Sequence, residues 1–351
     1  MAAEDRQTES EPPPHPFGKL RVAVLGSGSW GTALAHHLRL NGHEVILWGR
    51  DAALLNAITN EHENKRFFAG IKLAKGIETT TELSKAVVNR DLIVFSVPSS
   101  AIRSIAQLAS SSIAASAVLV STAKGLEDGT MKSMTDVLAE SCGDPSRVTV
   151  LSGPSFAREV IQGLPTAVTI AGHEAAAVNL AAQTFHNDYF RVYTSSDVVG
   201  VEFGGVLKNV IALAVGVLDG MGAGLNARAA LITRGLAEMQ RLTVALGGDP
   251  RTTVGLSGLG DLLLTSTGDL SRNRQVGVRL GKGETLAAVL GSMDQVAEAV
   301  TATAKVYSLA RKFDVRTPII DEVNALLSGT SQASDSARRL LSKVPSPERI
   351  D

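Results

Sequence analysis

The sequence predicts an α/β protein in which a doubly wound, mostly parallel sheet is followed by an all-helical domain. Three observations support this prediction. A strand, a glycine-rich turn, a helix and a second strand follow one another within residues 20–50. Strand-like and helix-like segments then alternate as far as residue 194, which is the pattern of a doubly wound sheet. Strand-like runs disappear after that point, so we expect residues 19–195 and residues 196–351 to form two domains.

The composition is that of a globular chain without a strong electrostatic field. The 351 residues are 44% hydrophobic and 20% charged, more apolar material than a disordered chain contains. Lys and Arg total 34 and Asp and Glu total 35, for a net charge of -1. No global field would attract nucleic acid or an anionic membrane, so an anionic ligand must be held by a local site.

Cysteine and histidine usage argues against a disulfide framework or a metal centre. Cys142 is the single cysteine, which excludes an intrachain disulfide and a thiolate zinc cluster and predicts a reducing compartment. The seven histidines include the adjacent pair His36 and His37, which point to different sides of a helix, and no His-Glu-x-x-His run occurs. We therefore expect no metal site.

The N-terminal segment, residues 1–18, is acidic and rich in proline, and we expect it to be a disordered tail. It has no apolar core of the kind that a signal peptide requires. The most apolar later stretch, residues 206–218, contains Lys208 and Asn209 and looks too short to span a bilayer. The sequence thus predicts a soluble, cytoplasmic protein without membrane insertion.

The first ordered elements predict a Rossmann-type dinucleotide site. A buried strand over residues 20–25 leads into Gly26-Ser27-Gly28-Ser29-Trp30-Gly31, a helix that ends near Asn41, and a strand over residues 44–50. In this context Gly26 permits the tight turn, Gly28 lets the backbone approach a pyrophosphate, and Gly31 lets the helix pack closely. The helix N-terminus offers free N–H groups and partial positive charge to the phosphates. The alternative is a glycine-rich turn that binds nothing.

The later strands should bring polar residues to one edge of the sheet, because parallel strands share their carboxyl ends. Three strand ends carry candidate ligand residues: Pro98-Ser99, Lys124-Gly125 and Gly153-Pro154-Ser155. The remaining predicted strands are residues 92–97, 117–122, 148–151, 166–171 and 190–193, and the helices between them include residues 101–109, 131–140 and 174–185.

The first helix of the second domain, capped by Ser196 or Asp197, contains a lysine on an otherwise apolar run. An unpaired ammonium at Lys208 would be costly to bury unless it faced a cleft or a partner. The alternative is that its stem reaches along the helix to the surface. Asp261 could likewise simply cap a helix, and Arg272 could be one charge on a solvated loop.

Several short sequence segments, taken in chain order, together resemble those of a known protein family. They are Gly26-Ser27-Gly28-Ser29-Trp30-Gly31-Thr32-Ala33, Ala123-Lys124-Gly125-Leu126-Glu127, Ser152-Gly153-Pro154-Ser155-Phe156-Ala157, Gly204-Gly205-Val206-Leu207-Lys208-Asn209-Val210, Asn226-Ala227-Arg228-Ala229-Ala230-Leu231-Ile232-Thr233-Arg234-Gly235, Gly258-Leu259-Gly260-Asp261-Leu262 and Ser271-Arg272-Asn273. From about residue 20 to about residue 327 the chain resembles the NAD(P)-dependent glycerol-3-phosphate dehydrogenase family. The resemblance implies a Rossmann domain with a helical domain like that of 6-phosphogluconate dehydrogenase, and a homodimer.

The resemblance also implies the chemistry: reversible reduction of dihydroxyacetone phosphate to sn-glycerol 3-phosphate, which supplies phospholipid synthesis. It makes Lys208 the acid/base, since an ammonium near the carbonyl both polarises it and supplies a proton. Lys124 is expected to contact the substrate and, as a second cation, to lower the pKa of Lys208. Asp261 should orient Lys208, with Thr265 and Asn209 nearby.

The same resemblance assigns the remaining contacts. A guanidinium fork and neutral donors suit a substrate phosphate, and these are Arg272, Asn273 and Ser271. Gly153 and Ser155 are expected along the substrate. The resemblance also implies cofactor contacts in addition to the glycines of the turn: Ser29, Trp30, Lys124, Ala157, Arg272, Val296 and Glu298. Around Val296 and Glu298 the sequence has diverged from the family pattern, and only the position of the segment along the chain supports these two assignments.

The end of the second strand bears on the choice of cofactor. Arg50 stands 24 residues after Gly26, where NAD-specific Rossmann folds carry an acidic residue for the ribose 2′-hydroxyl. A guanidinium forks well onto a 2′-phosphate, so we expect NADP(H) to be preferred and NAD(H) to remain possible. Asp51 could be the ribose acceptor if the loop turns by one residue, and Arg50 could be merely solvated.

Two other functions remain open from the sequence. A related helical-domain dehydrogenase acting on 6-phosphogluconate or ketopantoate would keep the Rossmann half and a lysine, although the strings at Lys124, Asp261 and Arg272 favour a phosphorylated triose. A nucleotide-sensing protein without turnover would not need Lys124, Lys208 and Asp261 together.

Overall fold

The computed structural model describes residues 18–293 and 297–341. The predicted tail lies outside the described residues except for Gly18. Within those residues eight strands form one sheet in the order β3-β2-β1-β4-β5-β6-β7-β8. The strands are β1 (Arg21–Leu25), β2 (Glu44–Trp48), β3 (Ile77–Thr80), β4 (Leu92–Phe95), β5 (Val118–Ser121), β6 (Val148–Ser152), β7 (Thr166–Gly172) and β8 (Phe190–Ser195).

The helices fall on either side of the end of β8. Those before it are α1 (Ser29–Leu40), α2 (Ala52–Glu61), α3 (Lys65–Phe68), α4 (Leu83–Val87), α5 (Ser99–Ala109), α6 (Met134–Cys142), α7 (Ala157–Ile161) and α8 (Ala175–Phe185). Those after it are α9 (Val198–Gly220), α10 (Gly224–Ala245), α11 (Pro250–Thr253), α12 (Asp261–Thr267), α13 (Arg272–Gly281), α14 (Leu286–Gly291), α15 (Glu298–Lys312), α16 (Pro318–Leu327) and α17 (Ala333–Leu341). A π-helical turn, Leu256–Gly260, precedes α12.

The predicted doubly wound, mostly parallel sheet with a following helical domain is confirmed. Neighbouring strands are parallel except β6 and β7, which are antiparallel. Strands β4 and β5 are buried along their whole length because helices cover both faces of the sheet. One apolar cluster packs α1 and α8 against the sheet and another packs α5 and α6 against its other face.

Two details of the sheet domain differ from the sequence predictions. Strand β3 was not predicted, because its four residues include Glu78 and two threonines and so form no apolar run. The helix expected from Met131 begins only at Met134, since Met131 has a φ of 58° and Ser133 caps the helix by accepting from the Asp136 N–H. The other predicted strands exist with ends shifted by one or two residues.

Helix α9 is the centre of the second domain. Asp197 caps it by accepting a hydrogen bond from the Gly200 N–H, as one of the two predicted caps. The expectation that this apolar stretch is too short to span a bilayer is wrong, because the helix has 23 residues and is apolar enough to do so. Its most apolar window is 94% buried inside the protein, against the helices that surround it. It is therefore the core helix of its domain.

Small residues fix α13 against α9. A Cβ at Gly277 would lie 2.1 Å from the Leu213 carbonyl oxygen, and one at Gly216 would lie 2.2 Å from the Arg274 carbonyl oxygen. The two helices can approach this closely only because neither position carries a side chain. The segment 271–274 is thereby held beside the residues of α9 that include Lys208 and Asn209.

Candidate active site

Lys208 lies inside the protein with its charge paired. Its side chain projects from α9, only 6% of the residue is exposed, and Nζ donates to Asp261 Oδ1 at 2.9 Å and to Thr265 Oγ1 at 2.6 Å. The alternative in which the stem reaches the surface is wrong. The cost of burying the ammonium is offset by the carboxylate of Asp261 and the hydroxyl of Thr265, the two side chains that the family resemblance had placed beside it.

Asp261 joins two ammonium groups from different domains. It is the first residue of α12, is 2% exposed, and its Oδ2 accepts from Lys124 Nζ at 2.5 Å. Thr265, one turn further along α12, donates to Asp261 Oδ1 at 3.1 Å. Lys208, Lys124, Asp261 and Thr265 are therefore one connected group, which we call the lysine cluster.

Burial and charge together bring Lys208 into the range of acid/base chemistry. Burial lowers the pKa of Lys208, Asp261 opposes this, and the nearby Lys124 lowers it further, with the result at about 8. Burial by itself raises the pKa of Asp261, but the two ammonium groups outweigh it and hold that pKa below its ordinary value. Near neutral pH Lys208 can thus both give and take a proton.

Gly205 explains how the two domains approach closely at this cluster. Lys124 follows the end of β5, and a Cβ at Gly205 of α9 would lie 3.3 Å from Lys124 Cγ and 2.8 Å from Ser152 Oγ. A side chain at this position would press on Ser152 and on the stem of Lys124, so the glycine leaves room for Lys124 beside α9. The cluster therefore lies where ligands bind in doubly wound sheets.

A chain of amides connects α9, α13 and α15 beside Lys208. Asn273 Nδ2 donates to Asn209 Oδ1 at 2.8 Å, and Asn209 Nδ2 donates to Glu298 Oε2 at 3.0 Å. Asn273 Oδ1 accepts from the Ala299 N–H at 3.0 Å. The structure thus brings Asn209, Asn273 and Glu298 together, whereas Val296 lies outside the described residues.

Ser271 and Arg272 stand at the N-terminus of α13. Ser271 caps the helix by accepting from the Arg274 N–H at 3.2 Å, and Arg272 is exposed. Arg274 is committed elsewhere, to Asp219 at 2.8 Å and Asp269 at 3.0 Å. Arg272 and the helix N-terminus therefore place positive charge next to Asn273.

Gly153 and Ser155 lie in the loop after β6. Gly153 has a φ of 149°, and a Cβ there would lie 2.9 Å from Val168 Cα, so the position needs glycine. Ser155 Oγ donates to the Gly153 carbonyl oxygen at 3.0 Å. Pro154 of this loop lies about van der Waals distance, 3.5 Å, from a Cβ built at Gly260, so the loop borders the turn that leads into Asp261.

The glycine turn has the geometry that a dinucleotide needs. Gly26 has a φ of 120°, and a Cβ at Gly31 would lie 1.8 Å from the Gly26 carbonyl oxygen. Among the residues that the structure describes, a Cβ at Gly28 would meet no atom within 4 Å, so the backbone there is open on that side. Helix α1 begins with the half-buried Ser29 and Trp30, its first turn has no acidic residue, and within residues 18–293 and 297–341 no side chain caps it. The residues present fit a cofactor pyrophosphate.

Arg50 follows the strand that is hydrogen-bonded to the glycine turn, and Ala157 begins a helix that contacts α1. Trp48, at the end of β2, accepts a hydrogen bond from the Gly26 N–H at 2.9 Å, and Arg50 follows two residues later with an exposed side chain. Asp51 Oδ1 accepts from the Leu54 N–H at 3.1 Å and so caps α2. Ala157 begins α7, which packs against α1.

Three polar residues near the site were not predicted. Buried Asn64 donates to Thr32 Oγ1 of α1 at 2.8 Å and to the Ser27 carbonyl oxygen of the glycine turn at 3.4 Å. Glu202 and Lys305 contact the chain that follows Lys124. Glu202 could have been recognised, because it interrupts the apolar run of α9 just as Lys208 does; Lys305 lies on an ordinary amphipathic helix and gives no such signal.

Comparisons with known proteins agree with this geometry. Family models described as the N-terminus and the C-terminus of NAD-dependent glycerol-3-phosphate dehydrogenase match residues 21–178 and 197–338. A glycerol-3-phosphate dehydrogenase [NAD(P)+] of Stenotrophomonas maltophilia is 45% identical over 331 residues, 94% of this chain and 97% of the relative. The chain belongs to the NAD-dependent glycerol-3-phosphate dehydrogenase family.

Other members of the glycerol-3-phosphate dehydrogenase family agree in sequence and fold. The relative from Geobacter sp. strain M21, also named glycerol-3-phosphate dehydrogenase [NAD(P)+], is 45% identical and covers 92% of this chain and 97% of its own length. The crystal structure of the glycerol-3-phosphate dehydrogenase from Coxiella burnetii aligns with a TM-score of 0.88 at 35% identity, over 93% of this chain and 99% of that one. The family resemblance stated from the motifs is thus confirmed.

Proposed function

We propose that this chain catalyses the reversible reduction of dihydroxyacetone phosphate to sn-glycerol 3-phosphate with NAD(P)H. The observation that carries the proposal is the lysine cluster, in which a buried ammonium with a pKa of about 8 lies where the sheet domain meets α9. The proposal is also supported by relatives that are named for this activity.

The bound nicotinamide supplies a hydride for the carbonyl carbon in one direction and accepts it in the other. As the carbonyl becomes an alcohol, its oxygen takes up one proton, and Lys208 Nζ is the group that donates it. Before that, the Lys208 ammonium polarises the carbonyl by stabilising negative charge on the oxygen. In the oxidation direction neutral Lys208 takes the proton from the substrate hydroxyl.

Asp261 and Thr265 hold Lys208 for this task. Both accept hydrogen bonds from its ammonium, which leaves the third N–H direction for the substrate oxygen. Lys124, on the other oxygen of Asp261, is proposed to contact the substrate and to keep the pKa of Lys208 low. Asn209 is proposed to contact the substrate from the next position of α9.

The substrate phosphate is proposed to bind at the N-terminus of α13. Arg272 offers a guanidinium fork, Asn273 is held in place by Asn209, and Ser271 is the helix cap. Gly153 and Ser155 are proposed to line the substrate between this anion site and the lysine cluster, because their loop borders the turn before Asp261.

We propose NADP(H) as the preferred cofactor, with NAD(H) also used. Exposed Arg50 is available at the end of β2, whereas Asp51 is engaged as the cap of α2. The relatives' names include both cofactors. The proposed cofactor contacts are Gly26, Gly28, Ser29, Trp30, Gly31, Arg50, Lys124, Ala157, Arg272, Val296 and Glu298.

The roles of the two domains, the oligomeric state and the location in the cell are proposed from the family resemblance. Residues 19–195 would be the dinucleotide-binding domain and residues 196–351 the substrate and dimerisation domain of a cytoplasmic homodimer. The burial of α9 inside its own domain supports the soluble assignment. The product would supply phospholipid synthesis.

The test follows the loss of nicotinamide absorbance when the purified protein receives NADPH and dihydroxyacetone phosphate. We expect turnover with this substrate and little with unphosphorylated dihydroxyacetone, 6-phosphogluconate or ketopantoate. Lys208→Ala should remove most of the turnover while cofactor fluorescence still reports binding. Turnover with ketopantoate or 6-phosphogluconate instead, or cofactor binding without any turnover by the wild type, would contradict the proposal.

A further inference from the structure

The chain between Lys124 and Thr135 belongs to the sheet domain but is anchored in the helical domain. We call residues 124–135 the Lys124 segment. Leu126, two residues after Lys124, is fully buried and belongs to the apolar core of the helical domain, together with Leu207 and Val210 of α9. Apolar packing therefore ties the segment to the helical domain close to Lys124.

Glu202 holds the far end of this segment. It is 3% exposed on α9, and its Oε1 accepts from the backbone N–H groups of Met134 at 2.7 Å and Thr135 at 3.1 Å. Its Oε2 accepts from Thr135 Oγ1 at 2.6 Å. The carboxylate thus satisfies the free N–H groups at the start of α6 from across the domain boundary.

Lys305 holds the near end. It projects from α15, its side chain is 16% exposed, and Nζ donates to the Leu126 carbonyl oxygen at 2.7 Å and pairs with Asp128 at 2.7 Å. A lysine that is mostly buried and bonded to a main-chain carbonyl restrains the backbone itself. The bonded carbonyl lies two residues from Lys124.

The sheet domain stiffens the segment between these two points. Arg103 of α5 donates to both oxygens of Glu127, at 2.5 and 2.8 Å, and Thr130 Oγ1 donates to Glu127 at 2.6 Å. Because Glu127 is held by Arg103 and Thr130, the backbone between the two anchors is stiff, and a restraint at Glu202 or Lys305 reaches the position of Lys124.

We propose that Glu202 and Lys305 are positioning residues for the reaction: by fixing the Lys124 segment to α9 and α15, they keep the Lys124 ammonium on Asp261 and beside Lys208. The inference rests on the proposed function of the lysine cluster. It assigns no contact with substrate or cofactor to either residue.

The electrostatic consequence can be measured. The charged groups that bear on Lys208 are Asp261 of α12, Lys124 of the segment and Glu298 of α15. Burial is the main cause that lowers the pKa of Lys208 from 10.5 to about 8, and of these charged groups Lys124 carries the like charge that lowers it further. Moving Lys124 away weakens this repulsion, so the pKa of Lys208 must rise.

The experiment compares Glu202→Met and Lys305→Met with two matched controls. Glu238→Met is the control for the first, because Glu238 is also a buried glutamate that caps a helix, accepting from Ile319 at 2.7 Å and Ile320 at 3.2 Å on α16. Lys312→Met is the control for the second, on the exposed side of the same helix α15. Thermal unfolding verifies that each variant is folded, and Lys305→Met serves alone if Glu202→Met does not fold.

The readout is the pKa of Lys208, measured by NMR of isotopically labelled lysine side chains, and the pH profile of kcat/KM for dihydroxyacetone phosphate. We expect both test variants to raise the pKa of Lys208 by about half a unit or more and to move the pH at which kcat/KM for reduction declines upward by the same amount. The controls should leave the pKa and the profile unchanged. An unchanged Lys208 pKa in folded test variants, or an equal shift in the controls, overturns the proposal. Because NMR reports the pKa without turnover, failure of the proposed function is seen separately, as a wild type that does not reduce dihydroxyacetone phosphate.

Discussion

Replacing Asp261 by asparagine tests the electrostatics of the lysine cluster. The carboxylate accepts from Lys208 at 2.9 Å, from Lys124 at 2.5 Å and from Thr265 at 3.1 Å, in a position that is 2% exposed. Asparagine keeps the volume but removes the charge, so the two ammonium groups lose the carboxylate that they share. Removing one partner of a buried ion pair commonly costs about 3–5 kcal/mol of stability, and deprotonation of a lysine relieves part of that.

The group that deprotonates is Lys208. Burial and Lys124 lower its pKa, Asp261 is the strongest influence in the opposite direction, and the pKa stands at about 8. In Asp261→Asn the pKa of Lys208 therefore falls, the ammonium form becomes scarce at neutral pH, and the proton donor for reduction is lost. We expect kcat for reduction at neutral pH to fall by about 10² to 10³, within the usual range for a positioned acid/base.

The assay is steady-state reduction of dihydroxyacetone phosphate by NADPH at a series of pH values. Activity of Asp261→Asn should recover in part as the pH is lowered below neutral, because Lys208 regains its proton, while the wild type changes little over the same interval. A variant with turnover within a few-fold of wild type and an unshifted pH profile would refute the reasoning. Asp261 would then be only the first residue of a helix.

Three further substitutions test the remaining assignments. Arg272→Ala should raise the KM for dihydroxyacetone phosphate by about tenfold to hundredfold, since charge-assisted hydrogen bonds to the phosphate are lost, and an unchanged KM in steady-state kinetics would place the anion site elsewhere. Arg50→Ala should weaken NADPH by about tenfold while hardly affecting NADH, because only the 2′-phosphate uses the guanidinium; equal losses in the two Michaelis constants contradict this. Lys124→Met should raise the pH at which kcat/KM for reduction declines, because the like charge that lowers the pKa of Lys208 is gone. A decline at lower pH than in the wild type would argue against electrostatic coupling between the two lysines.

Several features of the candidate site could be predicted from local sequence patterns. The glycine turn could be read from its neighbours because the positive φ at Gly26 and the close packing at Gly31 depend on residues within one short stretch. Lys208 could be singled out because an ammonium on an apolar helix face demands a partner. The segments that resemble the family then named Asp261 and Lys124 as candidates, and in the structure Asp261 is hydrogen-bonded to both Lys208 and Lys124.

Other features depend on contacts that no local pattern encodes. Lys124 and Asp261 are 137 residues apart and meet only when the domains pack. The four-residue strand β3 is stabilised by pairing with β2 rather than by its own composition, and the antiparallel pairing of β7 depends on the short connection through α7. Lys305 acquires its role from the backbone carbonyl that it reaches in the other domain.

The measurement that bears most directly on the central claim is the pH dependence of kcat/KM in both directions of the reaction. Reduction needs the Lys208 ammonium, so its kcat/KM should fall as the pH rises through about 8; oxidation needs the neutral amine and should rise through the same value. Lys208→Ala should remove both limbs and lower kcat by about 10² to 10⁴ while NADPH still binds. Two unrelated pH limbs in the wild type, or limbs that persist at near-normal turnover in Lys208→Ala, would contradict the assignment of the proton to Lys208.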